Sequence, residues 1–515
     1  MRLPVRTAGA AWLAVSAAGA YLGLRLARDV LVKPLYEDEA LAGLLSARPF
    51  VEMLDVVLWD RGGAPLHFVL SHLALAVEPS PQALRAVSVL FALAAIPLCY
   101  DLGRRLGGRV AGATAALLAA ASTMLGVYGS FGRMYALLAF AGALAADLFV
   151  RALELRTGRA ALAAAAAAWL LPAAHPYGLI PLGVEAAVAL VLWRGRSLKP
   201  ALPVFAVGLA LVPFLVADLR LADRFGVGLE GRGLLPPDRA FAYFVRTLRA
   251  FAGGDGRIAF PVLLGFALAG LVVLARRRPA VAAYAALALV TPPVLLMLGR
   301  TGSAIVGEHL SVRHLIFLLP VWSALAGVGL ARAAAALTGP VQAAAVGAVA
   351  VLALIAPEGG LEDPRYLSSG KRFALDAPAD FLRGAVQADD VLFPYSPVYL
   401  AALPATGEAD VLTRARAELV RRELKRLEPP VRKIFVAVPL DGARLDEEAL
   451  EGPDLAVRRF EYWLLLEAAG PFEDESETVL AALAAVEAAD AAITSEPLRL
   501  RGYFRQSRAA LSGSL

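Results

Sequence analysis

The chain is 515 residues long, 59% hydrophobic and only 18% charged, with a formal net charge of +5. That composition excludes an ordinary soluble domain and describes a polytopic α-helical membrane protein, whose basic loops set topology rather than bind nucleic acid. A single cysteine, Cys99, lies inside an apolar stretch, which excludes an intrachain disulfide, a CxxC redox pair and a cysteine zinc site.

Eleven apolar stretches approach bilayer-spanning length, near 8–27, 83–100, 110–127, 134–150, 160–175, 179–193, 201–217, 259–275, 280–297, 314–331 and 340–356. The first follows Arg2 and Arg6, is too long for a secretory signal and lacks a small-residue cleavage site, so it reads as an uncleaved signal anchor. Placing the amino terminus in the cytoplasm puts four basic clusters inside. They are Arg104, Arg105 and Arg109; Arg151, Arg156 and Arg159; Arg194, Arg196 and Lys199; and Arg276, Arg277 and Arg278. That parity is what the positive-inside rule expects, and it places residues 357–515 outside the cell membrane. The segment 64–77 has 14 residues, too few to span, and reads as a juxtamembrane helix. Alanine runs such as 160–168 read as tight helix-packing faces.

The first outer loop, about 28–82, carries Glu37, Asp38, Glu39, Glu52, Asp55, Asp60 and Glu78. Carboxylates at a membrane surface can take a proton from an acceptor hydroxyl or amine, or hold a divalent cation such as Mg or Mn. Asp38-Glu39 and Asp60 would converge if 40–58 folds back as one short amphipathic helix; Leu41, Leu44, Leu45, Val51, Leu54, Val57 and Leu58 have that spacing. On the same side stand Arg85 at the start of the second stretch, Arg133 and Tyr135 in and after a short turn, and Arg313-His314 opening the tenth. Guanidinium groups match phosphate geometry and stay charged, so these suggest a phosphate site as well as simple snorkelling to headgroups. His175-Pro176-Tyr177 ends the fifth stretch at the same level.

Between the seventh and eighth stretches, Phe241, Phe244, Val245, Leu248 and Phe251 recur at helical spacing. Arg239, Arg246 and Arg249 occupy other faces, and Pro236-Pro237 and Gly253-Gly254 bracket the segment. This predicts an amphipathic helix, lying at the interface or packed on the membrane domain. Residues 357–515 return to soluble periodicity and predict a small extracytoplasmic α/β domain. Strands are expected at 391–396, 433–439 and 457–468, and helices at 412–427 and 477–492.

The order of these motifs resembles the GT-C superfamily of integral-membrane glycosyltransferases. The nearest branch is glycosyltransferase family 39, the protein O-mannosyltransferases and lipid A aminoarabinose transferases. The matching pieces are YEDEA at 36–40, DRGGAPLHFVLSHL at 60–73, ALRAVSVLFALAAIPLCYDLGRRLGGR at 83–109, GRMYALLAF at 132–140, HPYGL at 175–179 and RHLIFLLP at 313–320. The resemblance implies a GT-C-like bundle in 1–356 with juxtamembrane helices in its first outer loop. It also implies transfer of a sugar from a polyprenyl-phosphate donor to a glycan, lipid or protein acceptor. It carries the catalytic base to Asp38, with Glu39 beside it, and makes Arg85 and Arg133 contacts to the donor phosphate or organisers of the loop. The family's Asp-x-His-Pro-Pro-Leu signature is altered here at Asp60 to Leu66, and His67 is the candidate to replace the lost polar contact. Tyr135, His175, Tyr177, Arg313 and His314 join the substrate-binding set. Family members differ over a metal, and a cation at Asp38 and Asp60 stays open. Two other functions fit the composition: a polyprenyl-lipid carrier or flippase-like transporter, and a non-catalytic surface receptor acting through 357–515.

Overall fold

The structure, a computed structural model, describes residues 6–58, 64–192, 259–298, 312–336 and 374–515, the last with short breaks, plus isolated positions elsewhere. Asp60, most of the stretches at 201–217 and 340–356, and most of the amphipathic segment 236–254 lie outside the described residues. The nine remaining apolar stretches are helical. In chain order the helices are α1 (Arg6–Val32), α2 (Glu37–Ala47), α3 (Phe50–Val56), α4 (Pro65–Val77), α5 (Pro81–Gly107), α6 (Arg109–Ala121), α7 (Thr123–Tyr128), α8 (Tyr135–Leu155), α9 (Gly158–Ala174), α10 (Leu179–Leu192), α11 (Ala259–Arg277), α12 (Pro279–Leu298) and α13 (Leu319–Ala333). Among the described residues, Pro81–Gly107, Tyr135–Leu155, Ala259–Arg277 and Val312–Ala333 are long and apolar enough to cross a membrane; five further apolar helices are shorter.

Contacts divide the chain into two compact units. The first comprises Met1–Leu31, Arg61–His67 and Arg85–Pro364; the second comprises Val32–Asp60, Phe68–Leu84 and Arg365–Leu515. The helices α2 and α3 and most of α4 thus fall in the same unit as the carboxyl-terminal residues.

In the first unit, α13 is central. Residues 312–318 enter it as a 3-10 turn, and 89% of the apolar window in Val312–Ala333 is buried, against 28% in α11. The outward face of α11, with Leu268 and Val272 about half exposed, suits lipid. Small residues let α13 approach its neighbours closely. A Cβ at Gly329 would run into the Phe266 carbonyl of α11, one at Gly270 into the Leu325 carbonyl, and one at Gly327 into the Ala111 carbonyl of α6. Arginines at the ends of these helices are knit together. Arg105 donates to Asp147 (2.6 Å) and Asp101 (2.8 Å), and Arg278 donates to Glu154 (2.7 Å) and the Arg105 carbonyl (2.8 Å). The stretch expected at 110–127 is two helices, because Ser122 takes an extended conformation (φ −60°, ψ 131°).

The second unit contains a five-stranded sheet, β1 (Val391–Phe393), β2 (Asp410–Val411), β3 (Val431–Pro439), β4 (Leu455–Arg459) and β5 (Trp463–Phe472), ordered β2-β1-β3-β5-β4. β1 runs parallel to β2 and β3, and β5 runs antiparallel to β3 and β4. The helices are α14 (Asp376–Ala385), α15 (Pro397–Ala401), α16 (Ala417–Leu424), α17 (Glu475–Ala492) and α18 (Leu498–Ser512). Successive side chains of a strand point to opposite faces, and here both faces are apolar. Ile434, Val436, Leu464 and Leu466 meet Val479, Val486 and Phe504 of α17 and α18 on one face. Phe435, Ala437 and Leu465 meet Leu382, Tyr399 and Leu400 on the other, together with Ala40 and Leu44 of α2. The helix α2 thus supplies part of the cover of this sheet.

Two sequence expectations are corrected here. Residues 457–468 are not one strand but the two arms of a hairpin, β4 and β5, closed where the Phe460 N–H donates to the Trp463 carbonyl (2.8 Å). Residues 40–58 are not one helix. Pro49 has no N–H to donate and holds Arg48 extended (ψ 162°), so α2 stops and α3 starts afresh.

Candidate functional site

Two sets of polar groups stand out, one in each unit. In the second unit the acidic motif forms the first turn of α2, with Glu37, Asp38 and Glu39 at the positive end of the helix dipole. Glu39 is fully buried and its Oε2 accepts from the Tyr36 N–H (3.2 Å), which fixes the entry into the helix. Glu37 is exposed and accepts from Arg414 Nη2 (2.6 Å). Asp38 is half-buried. The far end of the loop is tied too: Arg426 donates to Asp55 (2.8 Å), and buried Arg48 pairs with Glu52 and lies 3.7 Å from Asp410.

In the first unit the turn before α8 is anchored by Ser88, whose hydroxyl lies 2.6 Å from the Phe131 carbonyl and 3.1 Å from that of Arg133. Arg85, one helical turn before Ser88, is 2% exposed and donates to the Val30 carbonyl (3.2 Å). It therefore ties the start of α5 to the end of α1. His67 is also buried. Burial, reinforced by the nearby Arg133 guanidinium, pushes its imidazole down to about 3, so it is a neutral neighbour to Arg133.

Around α8, α9 and the entry to α13, the structure brings together Tyr135, His175, Tyr177, Arg313 and His314. The Arg313 guanidinium lies 5.4 Å from the centre of the Tyr135 ring. His314 is edge-on to Tyr135 (5.9 Å) and tilted against Tyr177 (5.1 Å). The Tyr177 N–H donates to His175 Nδ1 (3.1 Å), so that nitrogen carries a lone pair and the ring proton is on Nε2. His175 Nε2 lies 3.2 Å from His314 Nδ1. The histidine pair is then a chain of neutral rings in which His175 donates, His314 Nδ1 accepts, and the remaining proton sits on His314 Nε2. His314 is partly exposed, and Nε2 has no hydrogen-bond partner among the described residues. Two guanidinium-bearing residues flanking this neutral donor make a set suited to an oxyanion.

The tautomers give a direct expectation. Gln places an amide N–H near the position of Nε2, whereas Asn places it nearer Nδ1. His314→Gln should keep binding of a long-chain alkyl phosphate, as a probe of the oxyanion site, within about threefold, and His314→Asn should weaken it about tenfold, the scale of one hydrogen bond to a charged group. Equilibrium binding of the probe in nanodiscs distinguishes the two variants, and equal losses would refute the tautomer assignment.

Sequence reasoning gave no role to Ser88, although it lies in the 83–109 piece, and it missed Arg414, Tyr503 and Gln506, none of which lies in a motif. Among the described residues there is no group of three or more His, Cys, Asp or Glu positioned for a metal; Asp60 falls outside them.

An apolar helical bundle with a polar cluster of this kind, joined in one chain to a mixed sheet, is the architecture of a multi-pass membrane protein. The particular likeness is to ArnT from Cupriavidus metallidurans. The crystal structure of that protein bound to undecaprenyl phosphate matches with a TM-score of 0.61 at 16% identity, over 90% of this chain and 99% of that one. Its apo structure matches with a TM-score of 0.58, also at 16% identity, over 91% and 100%. The Archaeoglobus fulgidus oligosaccharyltransferase in complex with Zn and sulfate gives 0.42 at 12% identity, over 82% of this chain and 67% of that one. No protein-family model matches the chain, and no curated protein matches it in sequence.

Proposed function

We propose that the protein transfers a sugar from a polyprenyl-phosphate-linked donor to an acceptor at the extracytoplasmic face of the membrane. One observation carries this reading: Arg313, His175, His314, Tyr135 and Tyr177 gather at one end of the helices in a fold whose relative ArnT was crystallised with undecaprenyl phosphate. Arg133 and Arg313 supply fixed positive charge for the lipid phosphate, and His314 supplies a neutral donor. Asp38, from its place in the motif, acts as general base, while Glu39 shapes the turn that carries it. As the base takes the acceptor's proton, the acceptor oxygen or nitrogen bonds to the anomeric carbon. The carbon–oxygen bond to phosphate breaks, and the lipid phosphate leaves with the electron pair. Fixed cations stabilise that leaving group, so a general acid is not required. A single displacement inverts the anomeric centre. The topology that goes with this reading has the amino terminus in the cytoplasm, eleven spans and the carboxyl-terminal domain outside.

The test is a panel of undecaprenyl-phosphate sugars offered to the purified protein in proteoliposomes with a membrane acceptor fraction. Acceptor-dependent release of undecaprenyl phosphate from at least one donor is expected. Movement of intact donors between leaflets, without sugar release from any of them, would instead favour the flippase-like alternative.

A further inference from the structure

We infer that the carboxyl-terminal residues hold the acidic turn in its working geometry, and that Arg414 is a positioning residue for Asp38. This rests on the reading of Asp38 as base. The Arg414 guanidinium is held on three sides: it stacks over the Tyr503 ring (4.9 Å), donates through Nη1 to Gln506 (3.0 Å) and donates through Nη2 to Glu37 (2.6 Å). The platform beneath it is itself fixed, because the buried Tyr503 hydroxyl donates to the Ala437 carbonyl of β3 (2.8 Å). A planar fork stacked on an aromatic ring loses little further freedom when it binds a carboxylate, unlike a solvated lysine.

The position of Glu37 makes this contact consequential. An exposed ion pair contributes little to overall stability, but Glu37 and Glu39 flank Asp38 in sequence and are tied to Arg414 and to the Tyr36 N–H respectively. Asp38 is thus bracketed in the first turn of a helix, the part that frays most readily when its ends are unsupported. The rest of α2 is fixed from the same source. Leu44 and Ala40 lie in the core with Leu400 and Phe435, and Gly43 sits against Leu400, where a Cβ would collide with its side chain. Removing Arg414 therefore frees the turn without unseating the helix. Displacement of a reacting group by about 1 Å can cost about 100-fold in rate.

Full-length protein in nanodiscs separates this role from a general one. In Arg414→Ala, amide exchange over residues 36–41 should quicken at least tenfold. Turnover of the undecaprenyl-phosphate sugar found active in the panel should fall at least tenfold in kcat, with KM for that donor and the thermal midpoint unchanged. Arg414→Lys, which keeps the charge, should recover part of the kcat. Wild-type exchange and kcat in Arg414→Ala would overturn the inference. So would a joint fall in donor affinity and thermal midpoint, which would mark a merely structural role. If Asp38→Asn retains turnover, the reading of the base fails, and that result is separate from the exchange measurement on Arg414.

Discussion

Asp38→Asn is expected to lower the initial rate of sugar transfer by about 10²–10⁴-fold, the usual contribution of a positioned general base. The replacement is nearly isosteric and leaves the neighbouring contacts of Glu37 with Arg414 and of Glu39 with the Tyr36 N–H in place. Amounts of folded protein should therefore match the wild type. The three acidic side chains of the turn are not interchangeable. Glu39→Gln keeps an oxygen that can accept from the Tyr36 N–H and should retain most activity, because its role is to shape the turn. Initial rates of the two variants, normalised to folded protein, decide the assignment; equal losses would refute it.

Gly329→Ala is expected to have the largest effect on folding. The added Cβ would meet a backbone carbonyl, that of Phe266, and also crowd Gly270 on the same helix. Neither can rotate away as a side-chain tip could, so α11 and α13 would have to separate. In lipid, helix association depends on close packing of small residues rather than on a hydrophobic drive, so lost contacts are poorly replaced. Because α13 is the most buried of the long apolar helices, the damage should spread to the entry that carries Arg313 and His314. Gly265→Ala on α11 is the matched control, since a Cβ there meets nothing within 4 Å. Detergent-solubilised Gly329→Ala should give little monodisperse protein, and Gly265→Ala a wild-type yield. Equal yields would contradict the packing described.

The apolar helices were legible because hydrophobic length is a local property of the chain. Breaks within them were less so. Pro49 announces the division between α2 and α3 by its missing N–H, whereas nothing in Ser122 announces the one between α6 and α7. In the second unit, β4 and β5 merged into one because the turn between them, Phe460-Glu461-Tyr462, holds no Gly, Pro, Asn or Asp to mark a break. Of the candidate site, the sequence offered a set of residue types, of which the structure brings Tyr135, His175, Tyr177, Arg313 and His314 together. Its pairings were not legible, since His175 and His314 are 139 residues apart and Glu37 and Arg414 are 377 apart. No local pattern encodes contacts at that separation. The resemblance pointed to Asp38 and Arg133, but it gave no role to Ser88 and had no motif for Arg414.

The most direct test of sugar transfer from a lipid phosphate is a single-turnover measurement that reads donor binding and bond cleavage in the same sample. Wild type and Asp38→Asn should bind a polyprenyl-phosphate sugar with the same affinity, and with acceptor present only the wild type should release lipid phosphate and an inverted glycoside. Release by both proteins at equal rates, or binding by the wild type with no cleavage of any donor, would contradict the account.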